Sequence, residues 1–372
     1  MPLPNTGAIS LSDIQTEFGG SNPIGLNEYY KGGAYVSNND TAPNVPTSGQ
    51  ISVSNFYGAA KVNTPNTVEY LVIAGGGGGT GGATFREFWY PGKLGPLYLY
   101  NWIAGGGGGA GGYRTATGLA VSPGTTYPVT VGAGGVAGSW VSPPGFAPNA
   151  PSSTFSNITS TGGGAGGYNN VSPNWWGGAG GSGGGGGALY QDQAGIPYAI
   201  LGQGGAGASG QGTNGGNGGQ TGAAGGGGGG STNAGSGING GNGTASSITG
   251  ASVTRAGGGG SGTANSATAG TGGSGGGANG LGQSNGTGGR TAPSGSANTG
   301  GGGGGTTAPQ YQNYSAATVG YYDTGGAGGS GVVILRYPNS FAAASTTTGS
   351  PTFTDSGGYK VYVFNGSGSI KW

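Results

Sequence analysis

The side chains able to recognise a ligand stand in five islands within a chain that is otherwise dominated by glycine. Residues 84–103 carry Phe85, Phe88, Trp89, Tyr90, Tyr98, Tyr100 and Trp102, with Arg86, Glu87 and Lys93 among them. Residues 140–148 carry Trp140 and Phe146, and residues 168–176 carry Tyr168, Trp175 and Trp176. Residues 189–201 add Tyr190, Asp192 and Tyr198, and residues 309–323 add Tyr311, Tyr314, Tyr321, Tyr322 and Asp323. Tyr and Trp give large contact area at low entropic cost and keep a polar tip. Their faces stack on sugar rings, while Asp, Asn and Arg can fork hydrogen bonds to hydroxyls. The same rings can equally pack on one another and cap a scaffold that has no apolar core. The candidate receptor-binding set is Phe88, Trp89, Tyr90, Tyr98, Tyr100, Trp102, Trp140, Trp175, Trp176, Tyr190, Tyr198, Tyr311, Tyr314, Tyr321 and Tyr322, expected on loops outside the strands.

Catalysis is the weaker class. The chain has no His and no Cys, so the usual general base, the thiolate nucleophile and the common metal ligands are missing. Glycoside hydrolysis needs two carboxylates at a set separation, and of 9 acids only Glu87, Asp192 and Asp323 stand in the islands. Gly-x-Gly-x-x-Gly occurs throughout, without the strand, helix and distant acid that a dinucleotide site requires. Gly92-Lys93 lacks the Ser or Thr and the upstream glycine of a phosphate loop. The reading is no enzyme, no cofactor and no metal.

The scaffold that must hold the islands is unusual. Residues 75–331 contain 90 of the 103 glycines, gathered in runs such as 75–79, 105–109, 183–187, 225–230, 257–260 and 300–305. Glycine loses the most backbone entropy on folding, so an ordered tract needs a compensating force. Charged residues are only 5% of the chain and its net charge is +1; disorder normally combines low hydrophobicity with high net charge. The near-zero charge also leaves no electrostatic footprint for nucleic acid or an anionic membrane. No apolar stretch reaches the length of a membrane span and no signal peptide opens the chain. Collagen demands a strict Gly-X-Y period, which 105–112 breaks. Polyglycine can instead form a threefold extended helix with about 3.1 Å rise, so that a five-residue run spans about 15 Å. Its outward amides and carbonyls would bond laterally to neighbouring helices and satisfy the backbone. Ala and Ser between the runs would face outward or fill the edges.

Apolar runs flank this body: 68–74 and 331–338 enclose it, and 127–131 and 152–159 read as further strands. Residues 359–364, 365–368 and 369–372 read as a strand, a turn and a returning strand of a C-terminal hairpin. The first 60 residues repeat one phrase three times: Ile9-Ser10-Leu11-Ser12-Asp13-Ile14, Ile24-Gly25-Leu26-Asn27-Glu28-Tyr29 and Ile51-Ser52-Val53-Ser54-Asn55-Phe56. Two apolar residues two apart suggest a short strand in each copy, followed by a helix cap. Ser12 with Gln15 fits a capping box, and Gly19-Gly20 would end a helix of about two turns. The expected fold is mostly non-regular and β, in three parts: a module at 1–60, a glycine-rich body at 61–338 and a β hairpin at 339–372.

Several of these phrases resemble a known family. The stretches 68–79, 106–115, 246–250 with 256–260, and 325–338 look like the glycine-rich domain of bacteriophage tail fibres and adhesins. The phrase 11–20 and Glu28-Tyr29-Tyr30 resemble the short N-terminal module of phage virion proteins. The resemblance implies a virion structural protein of the tail, extracellular when acting, with a polyglycine II sandwich bearing host-recognition loops. It implies that residues 1–60 attach to other tail or baseplate proteins and that the islands meet a host glycan or outer-surface protein. Such proteins are often trimeric; no coiled-coil heptads specify a homotrimer here. The rival reading is a head fibre or tail spacer that binds no receptor.

Overall fold

The computed structural model describes residues 2–38, 40–89, 97–139, 147–167, 176–193, 196–219, 224–264, 268–283, 288–307 and 321–372. With 29% strand and 5% helix, the chain is of the mostly β and non-regular class. Helix α1 spans Leu11–Phe18. Among the described residues no helix is long and apolar enough to cross a membrane. The strands in chain order begin with β1 Thr67–Ile73, β2 Ala83–Trp89, β3 Leu97–Ala104, β4 Tyr113–Ala120, β5 Thr126–Thr130 and β6 Ser153–Phe155. They continue with β7 Ile158–Ser160, β8 Ala188–Gln193, β9 Ile196–Leu201, β10 Thr244–Thr249, β11 Ala251–Arg255 and β12 Tyr321–Tyr322. The last are β13 Val332–Pro338, β14 Thr346–Thr348, β15 Thr352–Ser356, β16 Tyr359–Phe364 and β17 Gly368–Lys371.

The repeated phrase of the N-terminal module is a capping device, not a strand. Ser10 caps α1: its hydroxyl accepts from the Asp13 N–H at 3.2 Å, and the Asp13 carboxylate accepts from the Ser10 N–H at 2.8 Å. The Ser10 N–H and the Ser10 hydroxyl, which donates at 2.7 Å, together hold the Asp13 carboxyl below its usual range. The box is therefore Ser10–Asp13 rather than Ser12–Gln15, because a carboxylate in the first turn also meets the positive end of the helix dipole. Glu28 accepts from the Gly25 N–H at 3.0 Å and Asn55 from the Ser52 N–H at 2.8 Å, each starting a single 3-10 turn. The residue closing each phrase (Ile14, Tyr29, Phe56) is fully buried in one small core with Phe18, while the flanking apolar residues lean on that core. Gly19 ends α1 with φ +89°, as expected.

Two antiparallel sheets form a sandwich next in the chain. One has the order β15-β16-β13-β1-β4, the other β14-β17-β5-β6-β7. Val68, Tyr70 and Val72 of β1, Val333, Leu335 and Tyr337 of β13, and Tyr362 and Phe364 of β16 face Val129, Phe155, Ile370 and Trp372 of the second sheet. Alternate residues Leu71, Ile73, Val332, Ile334 and Val361 form the opposite face, packed on Ile248, Ala110 and Ala256. Glu69 and Arg336 are paired in register and joined by an ion pair at 2.5 Å. The C-terminal hairpin forms between β15 and β16, not between 359–364 and 369–372. β16 also pairs with β13, while β17 crosses to the other sheet between β14 and β5. The buried Phe364, Ile370 and Trp372 explain that crossing, since each supplies a ring or chain to the space between the sheets. The run 152–159 splits into β6 and β7 at Ser156, where φ is +52°.

The glycine runs build a lattice on this sandwich. Segment 105–111 shows its rule. Gly105, Gly108 and Gly111 donate to the carbonyls of Thr306, Gly303 and Gly300; Gly106 and Gly109 donate to Gly167 and Gly164; Gly107 and Ala110 donate to Gly226 and Gly229. Its carbonyls accept in the same rhythm. Gly262 and Gly259 donate to Gly105 and Gly108, Thr80 and Gly77 to Gly106 and Gly109, and Gly185 and Ser182 to Gly107 and Ala110. Every third residue thus meets the same neighbour, which is the periodicity of polyproline II. Six segments surround one, some parallel and some antiparallel. The close approach needs glycine: a Cβ on Gly106, Gly107 or Gly108 would lie 2.1, 2.2 or 2.1 Å from a neighbour's carbonyl oxygen.

The rare side chains within the lattice are not simply turned outward. Thr80, Ser182 and Ser261 are buried at the segment ends, and their hydroxyls donate to the carbonyls of Gly167, Gly230 and Gly225 at 2.7, 3.1 and 2.6 Å. On the outer segments asparagine recurs at three-residue spacing. The side-chain oxygens of Asn214 and Asn217 accept from Gly207 and Gly204, and those of Asn239 and Asn242 from Thr271 and Ser274. Each amide adds a lateral bond to the neighbouring segment to which the following glycine already donates.

Candidate aromatic platform at one end of the lattice

The lattice has two different ends. At one end Ala110 and Ala256 meet the sandwich face. At the other, Thr80, Gly105, Gly167, Gly262 and Thr306 share one level through the Thr80–Gly106, Gly105–Thr306, Gly106–Gly167 and Gly262–Gly105 bonds. Described residues flanking all five aromatic islands stand at that second end. Residues 84–103 lie between Ala83 and Ala104, and Ala104 is bridged to Thr307, where the last island begins. Gly138, just before the second island, donates to Gly79; Gly167, just before the third, accepts from the Thr80 hydroxyl; Ala188 opens the fourth beside Ala104.

The described parts of three islands, 84–89 with 97–103, 189–193 with 196–201, and 321–322, are strands of one sheet and not loops. Its order is β12-β2-β3-β8-β9. Register rows run Tyr322–Ala83–Ile103–Leu189–Ile200 and Tyr321–Thr84–Trp102–Tyr190–Ala199 across all five strands. The next rows are Phe85–Asn101–Gln191–Tyr198 and Arg86–Tyr100–Asp192–Pro197, followed by Phe88 opposite Tyr98 and Trp89 opposite Leu97. A two-residue side-chain alternation makes these rows belong to alternate faces. The correction has a clear physical cause. Aromatic and branched residues favour a pleated surface, and chains emerging side by side from a lattice are already aligned to pair.

The first row seats the sheet. Ala83, Ile103 and Leu189 are buried together with Ile200 and Tyr322 against them. Trp102 and Tyr190 are half-buried, pack on Ala104 and Ala264, and have ring centroids 5.4 Å apart. Trp176 is 57% exposed. Phe88, Trp89, Tyr98, Tyr100, Tyr198 and Tyr321 are described by their strand positions alone. Tyr90, Trp140, Trp175, Tyr311 and Tyr314 lie outside the described residues.

The sequence reading missed the polar clamp under this sheet. The fully buried Asp323 carboxylate accepts from the Arg290 backbone N–H at 2.8 Å, from Nε at 2.9 Å and from a terminal guanidinium nitrogen at 2.6 Å. The same guanidinium donates to the carbonyls of Gly282 and Thr307 at 3.0 and 2.7 Å. Asp323 also anchors β12, for its N–H donates to Gly82. An isolated Arg in a charge-free glycine tract was the available signal, since a lone charge there needs a partner once buried.

Residues 51–338 match the family model described as a glycine-rich domain. The chain belongs to the glycine-rich domain family. No curated protein and no solved structure matches it. The matched glycine-rich domain begins within the last capping phrase and stops at the end of β13, yet β16 pairs along β13 from Val333 to Pro338. Residues 339–372 therefore complete the sheets on which the glycine-rich domain stands.

Proposed function

We propose that the chain is a bacteriophage virion structural protein, a tail fibre or tail-tip adhesin that grips the host surface through its aromatic islands. The support is the polarity of the lattice. Described residues flanking all five islands stand at one end, whereas residues 1–60 lead through 61–66 into the far end of the sandwich. A stiff body with an anchoring module behind it and a concentrated aromatic surface in front is what adhesion at a distance requires. The backbone-bonded lattice keeps the points to which the islands are tethered in fixed relation, which limits the ordering cost of binding. Residues 1–60 are assigned to docking on tail or baseplate proteins, and the islands to a surface glycan or an outer-surface protein of the host. No catalytic step, cofactor or metal enters this reading. A head fibre or tail spacer would need no aromatic end. Immunogold labelling of intact particles with antibody to the islands is expected to mark the tail tip; label on the capsid would overturn the assignment.

A further inference from the structure

The chain contains Asn-Gly dipeptides at Asn214, Asn217, Asn239, Asn242, Asn279, Asn285 and Asn365; Asn285 lies outside the described residues. Asn-Gly is chemically fragile. The glycine nitrogen can attack the asparagine Cγ, forming a C–N bond as the Cγ–Nδ2 bond breaks and ammonia leaves with the displaced proton. Water then opens the succinimide at either carbonyl and yields aspartate or isoaspartate. The reaction needs a side-chain carbonyl and a following N–H that are both free to approach one another.

In the lattice neither is free. The side-chain oxygens of Asn214, Asn217, Asn239, Asn242 and Asn279 accept from Gly207, Gly204, Thr271, Ser274 and Gly272 at 2.9, 2.9, 2.9, 3.0 and 2.8 Å. The attacking nitrogens are held as well. Gly215, Gly218, Gly240, Gly243 and Gly280 donate to the carbonyls of Gly205, Gly202, Thr271, Ser274 and Gly270. Exposure does not distinguish these sites, because all five asparagines are exposed, as is Asn365. What distinguishes Asn365 is bonding. It sits in the turn between β16 and β17, neither its side chain nor the Gly366 N–H has a hydrogen bond among the described residues, and a Cβ on Gly366 would meet nothing within 4 Å.

We propose that Asn365 is a site of spontaneous succinimide formation and that the lateral bonds of the lattice protect the five asparagines within it. The location gives the modification a consequence. Isoaspartate routes the main chain through one extra carbon between the buried Phe364 and Gly368, which pairs with Val129 in the second sheet. Ser367, beside the turn, accepts from the Val131 N–H at 3.0 Å. The lesion therefore falls where the chain crosses from one sheet of the sandwich to the other.

The test is peptide mapping by mass spectrometry after incubation of the intact protein in mildly alkaline buffer, with an unfolded sample in denaturant alongside. In the folded protein the peptide holding Asn365 is expected to convert from amide to acid. The five lattice sites should lag by roughly thirtyfold, because two hydrogen bonds must open at each before attack. In denaturant the six rates should converge. Lattice asparagines that convert as fast as Asn365 in the folded protein would overturn the proposal. So would an Asn365 peptide still amidated once the unfolded control has reacted.

Discussion

Replacing residues 85–101 by a Gly-Gly connection is expected to abolish adsorption to the host while particles assemble at normal yield. The replaced segment supplies most of β2 and β3, the strands that join β12 to β8 in the platform. Its removal takes away Phe88, Trp89, Tyr98 and Tyr100 and leaves β8 paired with β9 but without β3 beside its outer half, Gln191 to Gln193. The lattice should survive, because Ala83 still pairs with Ile103 and Thr84 with Trp102, and that row carries the buried contacts seating the sheet. The deciding measurements are adsorption rate per particle and thermal unfolding of the purified chain. Lost adsorption with unchanged unfolding supports the adhesin reading; normal adsorption by such particles would sink it.

The second large effect concerns the scaffold. Gly108→Val should destabilise the protein by at least about 3 kcal/mol, the upper range for overpacking, because the obstacle is backbone that cannot rotate away. A Cβ there would stand 2.1 Å from the Gly77 carbonyl oxygen. Moving the Gly77 segment aside breaks its lateral bonds to 105–111, each worth about 1 kcal/mol net. Gly118→Ala isolates the conformational part, since Gly118 has φ +74° and nothing within 4 Å of its added carbon. That variant should cost only about 1–2 kcal/mol. Thermal unfolding of the two variants reads the difference; equal losses would show that lattice packing is looser than the bonding pattern requires.

The base and the lattice were legible because each announces itself locally. Residues 68–74 and 331–338 are apolar runs long enough to be buried strands, and glycine runs ending in such strands leave the backbone little besides lateral bonding. The threefold cap phrase was also visible, although Ser10-x-x-Asp13 and Ser12-x-x-Gln15 overlap and only the helix start decides between them. The platform was harder to read. Residues 85–89 and 97–103 flank Pro91-Gly92, and 189–193 and 196–201 flank Ala194-Gly195, so each pair carried a hairpin signal. That β3 would pair with β8, some ninety positions away, depends on which lattice segments lie side by side, and glycine runs are too alike to specify that order. The Asp323–Arg290 clamp is equally non-local. Asn214-x-x-Asn217 and Asn239-x-x-Asn242, by contrast, repeat the lattice period in the sequence itself.

The six-neighbour glycine lattice also shapes the response to temperature. Exposing apolar surface raises the heat capacity of unfolding by about 0.45 cal/K/mol per Å², and exposing polar surface lowers it by about 0.26. A body whose interior is mostly peptide amide and α-carbon brings these contributions near cancellation. Its heat-capacity increment per residue should fall below the usual ~12–15 cal/mol/K, which scanning calorimetry reads directly. A small increment flattens the stability curve, so the body holds a nearly constant margin from cold to warm while the apolar sandwich and module follow the ordinary steep dome.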